Sequence, residues 1–324
     1  MSTVAKDQID RKSPINSFIG QQAIKERLRV FAHSERRIPP ILLTASAGNG
    51  KNHMARAFAE EAGAKLYHIN AVNLENSLTL NRFLKTPCSG DGRAILLIDE
   101  AGEMKRRIDT SFLTCLEEPF TMETRIKAGK RIEIYRFEIP THVSFLFATT
   151  HMGRLSKALI SRCIHLSFNE YEEDDLMLIA RLHFEKNEFK ADADALKSFA
   201  KISRSVRNLL QICDCAMIYG KKTIDDGVVS ETLHQLELTP EGLTKQDVRL
   251  LKYLAGRDYV SMRGLLAYLS VEKEEYEMTE AFLTKKDLIS VCSHGRSITQ
   301  NGLDAVGSDE LLLDDEVFGT KVSA

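Results

Sequence analysis

The chain has 324 residues, of which 43% are hydrophobic and 28% charged, and its formal net charge is -2. Such length and balance fit a soluble protein of two or three domains with cores of their own, and the near-neutral charge excludes a broadly basic nucleic-acid coat. No apolar run reaches the roughly 18 residues of a membrane span and the polar N-terminus is no signal peptide, so a cytoplasmic protein without a membrane partner is expected.

In chain order, residues 1–14 are polar and read as a loosely ordered arm. Phe18, Ile19, Gly20 and Gln21 follow, then a helical pattern over 22–33 with Ile24, Leu28 and Phe31 on one face. Phe18 and Ile19 are either ordinary core residues or an apolar pocket for a purine. Next comes the stretch that carries most chemistry: an apolar strand at 41–43, a small-residue loop containing Gly48, Asn49 and Gly50, then Lys51, Asn52, His53 and a helix to about residue 62. Strand, loop and helix N-terminus in that order cradle phosphate, because backbone N–H groups and the helix dipole favour an anion and Lys51 adds a point charge. Two positions depart from the usual phosphate-loop pattern: Ala45 stands where a glycine is expected, and Asn52 where a Ser or Thr hydroxyl holds Mg²⁺.

Residues 65–69 read as a strand, then comes a variable stretch, then 94–98 as a buried parallel strand that delivers Asp99 and Glu100 to the carboxyl edge of a sheet. There Asp99 holds Mg²⁺ through water and Glu100 polarises the attacking water. A helix over about 108–116 precedes a β-hairpin at 122–139, whose role is either partner contact or edge ribbon. Residues 143–148 form another buried strand, ending at Thr149 and Thr150, where a polar group orients the lytic water. After a short helix come Arg162, either a surface cation or an arginine finger reaching a neighbouring subunit's nucleotide, and a fifth strand at 163–168.

From 171 to 238 the pattern is helical throughout, with Arg207 entering the third helix in a position to fold back over the nucleotide. After a linker at 239–242, three short helices, strand 288–291, a turn at Ser293 to Arg296 and a last strand outline a winged helix, a module that binds DNA more often than protein. Its acids and bases balance, and an acidic tail at 309–316 reads as disordered. The six cysteines, Cys88, Cys115, Cys163, Cys213, Cys215 and Cys292, lack zinc spacing and read as buried thiols of a reducing compartment.

These pieces, in this order, resemble the RuvB family of Holliday-junction branch-migration ATPases within the AAA+ superfamily. The marks that carry the likeness are Phe18 to Gln21, the Gly48/Gly50/Lys51 loop, Leu97 to Glu100, Ala148 to Thr150, Ser161-Arg162, the hairpin, Ser203 to Arg207 and the terminal winged helix with Arg296. The resemblance implies an α/β fold: an AAA+ parallel sheet over 1–170, a helical lid over 171–240, and a winged-helix head with acidic tail over 241–324. It implies a homo-hexamer that encircles duplex or branched DNA and translocates it with ATP and Mg²⁺, docking a RuvA-like partner through the hairpin at about 123–139. In that reading Arg11, Phe18, Ile19, Gly48, Asn49, Gly50, Lys51, Asn52, His53 and Tyr171 surround the nucleotide, with Asn52 and Asp99 as metal ligands. Thr150 and Arg207 are the two sensors, Arg162 the finger in trans, and Arg296 a wing contact to DNA phosphate; Val291 occupies the second position of the family's wing pair. Two other classes compete with the motor: a clamp- or helicase-loader switch on the same core, and a nucleotide-binding scaffold that hydrolyses weakly or not at all.

Overall fold

A computed structural model describes residues 13–128 and 131–307. Arg11, the hairpin tip at Gly129 and Lys130, and the acidic tail lie outside the described residues.

The described chain forms α1 (Gln22–Ala32), β1 (Ile41–Thr44), α2 (Lys51–Glu61), β2 (Lys65–Asn70), α3 (Ser77–Cys88), β3 (Ala94–Asp99), α4 (Arg106–Leu116), β4 (Thr121–Ala128), β5 (Arg131–Glu138), β6 (Val143–Thr149), α5 (Lys157–Ile160) and β7 (Ile164–Ser167). It continues through α6 (Glu173–Lys186), β8 (Lys190–Ala191), α7 (Ala193–Ile202), α8 (Val206–Tyr219), β9 (Thr223–Ile224) and α9 (Asp226–Gln235). The last elements are α10 (Lys245–Ala255), α11 (Met262–Leu269), α12 (Lys273–Lys285), β10 (Ile289–Cys292), β11 (Gly295–Ile298) and α13 (Gln300–Gly307).

By contacts these elements gather into two bodies. One holds the described residues to Ile179 together with Ser205–Arg207; the other holds Ala180–Arg204 and everything described from Asn208 onward.

The first body is built on a five-stranded parallel sheet in the order β2-β3-β6-β1-β7. Every residue of β1 and of β6 is buried, as a parallel strand covered on both faces requires. In-register pairing sets Thr44 beside Thr149 and Asn70 beside Asp99, so the ends of four strands meet along one carboxyl edge. Phe112 of α4 packs edge-on against Phe145 and Phe147 at 5.7 and 5.2 Å between ring centres. The hairpin pairs β4 with β5 over eight positions, and at its base Arg136 Nε donates to Glu123 at 2.5 Å.

Several elements differ from the sequence reading. The variable stretch contains α3, opened by Asn76, whose side chain accepts from Leu78 N and Thr79 N. The region read as all helical also holds a two-residue parallel ladder between β8 and β9. The linker at 239–242 is an ordered turn: Thr239 is buried, and Thr239 N donates to Leu243 O at 3.0 Å. Cys115 and Cys213 are buried, and burial pushes both thiols up to about 12, whereas Cys292 is exposed.

In the second body α10 starts with a reciprocal cap: Thr244 Oγ1 accepts from Asp247 N, and Asp247 accepts from Thr244 N at 2.7 Å. The same Asp247, buried to 1%, takes a hydrogen bond from Arg204, whose guanidinium lies 4.3 Å over the Phe282 ring. Here α10, α11 and α12 pack around one core from Leu243 to Ile289, and β10 pairs antiparallel with β11 as the wing hairpin. No helix among the described residues is long and apolar enough to cross a membrane.

Phe112 is fully buried, so Phe112→Ala is expected to cost about 3–5 kcal/mol, measured by urea unfolding of the whole chain.

Candidate functional site

At the carboxyl edge, β1 runs into a loop whose Gly48 and Gly50 hold φ of 79° and 89°, a left-handed geometry open to glycine at little cost. Space demands glycine there as well. A Cβ on Gly50 meets the Phe18 ring at 3.0 Å, and one on Gly48 meets Ser205 Oγ at 2.8 Å and Arg207 Cβ at 2.9 Å. The loop is pinned from behind: Arg207 N donates to Gly48 O at 3.0 Å, and Tyr171 Oη donates to Asn49 O at 3.2 Å. Tyr171 is buried, and burial raises its phenol, with Asp175 adding to the effect.

Lys51, the first residue of α2, is also buried, and its Nζ donates to Ala45 O at 2.9 Å and Ser46 O at 3.4 Å. Burial lowers its pKa; Glu100 and Asp99 oppose that shift, and Arg207 adds to it. An ammonium desolvated in this way is held in place and short of counter-charge, which a phosphate supplies.

Next along the edge, Asn52 Nδ2 donates to Asp99 Oδ2 at 2.6 Å, while Asn52 Oδ1 is sealed from solvent with no partner. His68 Nε2 lies 3.5 Å from the same Asp99 oxygen. Glu100 takes a left-handed φ of 48°, a conformation that costs a non-glycine residue about 1–3 kcal/mol. Thr150 Oγ1 lies 3.5 Å from Glu100 Oε2. Its neighbour Thr149 does structural work instead: the buried Oγ1 accepts from Gly102 N at 3.2 Å and His151 N at 3.1 Å, joining the loops that leave β3 and β6.

Asn52 Oδ1 and the Asp99 carboxylate are hard oxygen donors, and an orphaned acceptor beside a carboxylate suits a small divalent cation that keeps several waters. These two residues would hold a Mg²⁺.

The geometry therefore brings Lys51, Asn52, Asp99, Glu100 and Thr150 to one edge, with Gly48, Asn49, Gly50, Tyr171 and Arg207 around the loop. Phe18 is buried with its ring 5.5 Å from that of His53, and Ile19 is half-buried beside it. Arg162 is engaged elsewhere: Nη2 lies 2.7 Å from Glu117 Oε1, Nη1 donates to Ala158 O at 2.7 Å, and Nε is buried without a partner. Arg296 forks onto Glu280, with Nε to Oε2 at 2.5 Å and Nη2 to Oε1 at 3.1 Å. Sequence reasoning missed His68 and the seat of Ser205 against the loop, because only the register of β2 beside β3 and the return of the chain before α8 reveal them.

Two family models match: the Holliday junction DNA helicase RuvB P-loop domain over residues 11–167, and the RuvB C-terminal winged helix domain over residues 240–307. The Holliday junction branch migration complex subunit RuvB of Streptococcus agalactiae is 28% identical over 315 residues, covering 92% of each chain. That of Fervidobacterium nodosum is 27% identical over 313 residues, covering 92% of this chain and 88% of the relative. Among solved structures, the Thermotoga maritima RuvB Holliday junction branch migration motor superposes with a TM-score of 0.75 at 21% identity, covering 90% of this chain and 96% of that one. A point mutant of the same T. maritima protein gives 0.77 at 21% identity, covering 91% and 97%. At this identity the structural likeness speaks for the fold.

Gly50→Ala must accept both a disfavoured φ and the Phe18 contact, so a loss of about 1–3 kcal/mol is expected in urea unfolding, with weakened binding of a fluorescent ATP analogue.

Proposed function

The chain belongs to the RuvB family, and from that membership we propose that it is an ATP-driven motor acting on Holliday-junction DNA. The observation that best supports turnover as well as binding is the gathering of a buried lysine, two carboxylates and a threonine at one sheet edge.

In this reading Lys51 and the α2 N-terminus hold the β- and γ-phosphates. Phe18, Ile19 and Tyr171 flank the base, with Arg11, Asn49 and His53 completing the nucleotide's surroundings. Glu100 orients the attacking water and accepts its proton, and Thr150 fixes that water from the side of β6. Asn52 and Asp99 would hold a Mg²⁺, which would supply charge neutralisation to the phosphates. Arg207 senses the nucleotide from behind the loop. Arg162, drawn out of its pairing with Glu117, serves the nucleotide of an adjacent subunit in a homo-hexamer. The division into ATPase domain (1–170), lid (171–240) and winged-helix head (241–324) belongs to the same proposal, as does docking of a RuvA-like partner on the hairpin at about 123–139.

One observation favours a second reading, a scaffold that binds nucleotide and turns it over slowly. The Asn52 amide occupies an Asp99 oxygen through its N–H and brings no hydroxyl to the metal. The loader reading has no comparable support, and the RuvB winged-helix match over 240–307 weighs against it.

ATP hydrolysis with and without four-way DNA decides between these. Junction-stimulated turnover is expected, falling by about 10²-fold or more in Glu100→Gln with nucleotide binding retained. Wild-type turnover in Glu100→Gln removes that residue from the mechanism. ATP binding without any turnover supports the scaffold. Asn52→Thr, which restores the hydroxyl and frees Asp99, is expected to raise the rate.

A further inference from the structure

Winged-helix modules commonly present their third helix and wing to DNA. In this module those elements are electrostatically wrong for the task. Around α12, Glu272 and Glu275 are exposed, Lys273 is paired with Glu277 at 3.3 Å, and Lys286 lies half-buried over the Phe282 ring. The one arginine of the wing hairpin, Arg296, is neutralised by Glu280, the two side chains being only 14% and 17% exposed. Next to it Val291 is exposed and apolar. The wing therefore offers a duplex an arginine that is already paired and an exposed valine, where phosphate needs free cations.

A surplus of bases sits on the preceding helices. Residues 245–263 carry Arg249, Lys252, Arg257 and Arg263, besides a Lys245 paired with Glu237 at 2.7 Å, against two acids. Two of these arginines are organised rather than loose. The rings of Tyr253 on α10 and Tyr268 on α11 stack at 3.8 Å with an interplanar angle of 20°. Arg257 lies over the Tyr253 ring at 3.8 Å, and Arg249 over Tyr268 at 4.7 Å. Each is further tethered by one hydrogen bond: Arg257 Nη1 to Tyr253 O at 2.6 Å, and Arg249 Nη2 to Tyr268 O at 3.4 Å. Both arginines are exposed, and neither is ion-paired among the described residues. Stacking on a ring uses the face of a guanidinium and leaves its in-plane donors free to fork onto an oxyanion. It also fixes a long side chain in advance, removing about 0.5–1.5 kcal/mol of ordering cost per side chain on binding.

We propose that the winged-helix module grips the DNA backbone through the Arg257–Tyr253–Tyr268–Arg249 ladder of α10 and α11, and not through α12 and the wing. The occupant is duplex phosphate, recognised by charge and forked hydrogen bonds without base readout. This rests on the DNA-motor reading above and assigns that motor's grip to a different face.

The test is fluorescence-anisotropy binding of the full-length protein to a labelled duplex and to a four-way junction across a salt series. Arg249→Ala/Arg257→Ala is expected to weaken binding about tenfold and to reduce the slope of log K against log salt by about 2. Circular dichroism and the melting temperature check that the double variant is folded, and Arg249→Lys/Arg257→Lys is expected to recover most of the slope but not all of the affinity. A folded double variant with unchanged affinity and slope overturns the proposal. So does Glu275→Lys on α12 if it tightens binding tenfold, since that locates phosphate beside α12. In either case DNA binding by the wild type still stands. A wild type that binds neither DNA overturns the motor reading along with the ladder.

Discussion

A buried lysine beside two carboxylates is the constraint on which this edge of the sheet depends. Lys51 is buried and propped by two loop carbonyls, and Glu100 and Asp99 offset only part of the cost of its burial. Placing an ammonium there is tolerable only if the loop carbonyls face inward, and that in turn requires the left-handed glycines which let the backbone fold tightly over α2. The parallel order of the sheet then follows as a functional need, since only strands ending at one edge bring Asp99, Thr149 and Thr150 to the same charge.

Much of this was legible in the chain. Apolar runs ending in polar residues announced β1, β3 and β6, because a buried parallel strand leaves no room for alternation. The phosphate loop announced α2 by its glycines. Other features were hidden for identifiable reasons. In α3, Pro87 and a mixed pattern of polar and apolar residues masked the helix, although Asn76 was a usable start signal. The ladder of β8 and β9 is two residues long and carries no periodicity at all. Side-chain partnerships were the least legible: Arg296 with Glu280, Asn52 with Asp99 and His68 beside Asp99 each join residues from different elements.

The departures from the family pattern acquire a physical meaning once their neighbours are known. Asn52 spends its N–H on Asp99 and leaves its Oδ1 without a partner, so this one position also limits the freedom of the acid beside it. In the winged helix, Glu280 turns a wing arginine into one half of an internal pair.

Thr149 shows how finely such an edge is assembled. Its single buried oxygen receives one backbone N–H from the loop carrying Glu100 and another from the loop carrying Thr150. Valine would match its volume and leave the strand undisturbed, yet it would strand two amides at once. The position therefore selects for a lone pair as well as for shape: serine keeps the oxygen that joins the two loops and gives up a buried methyl.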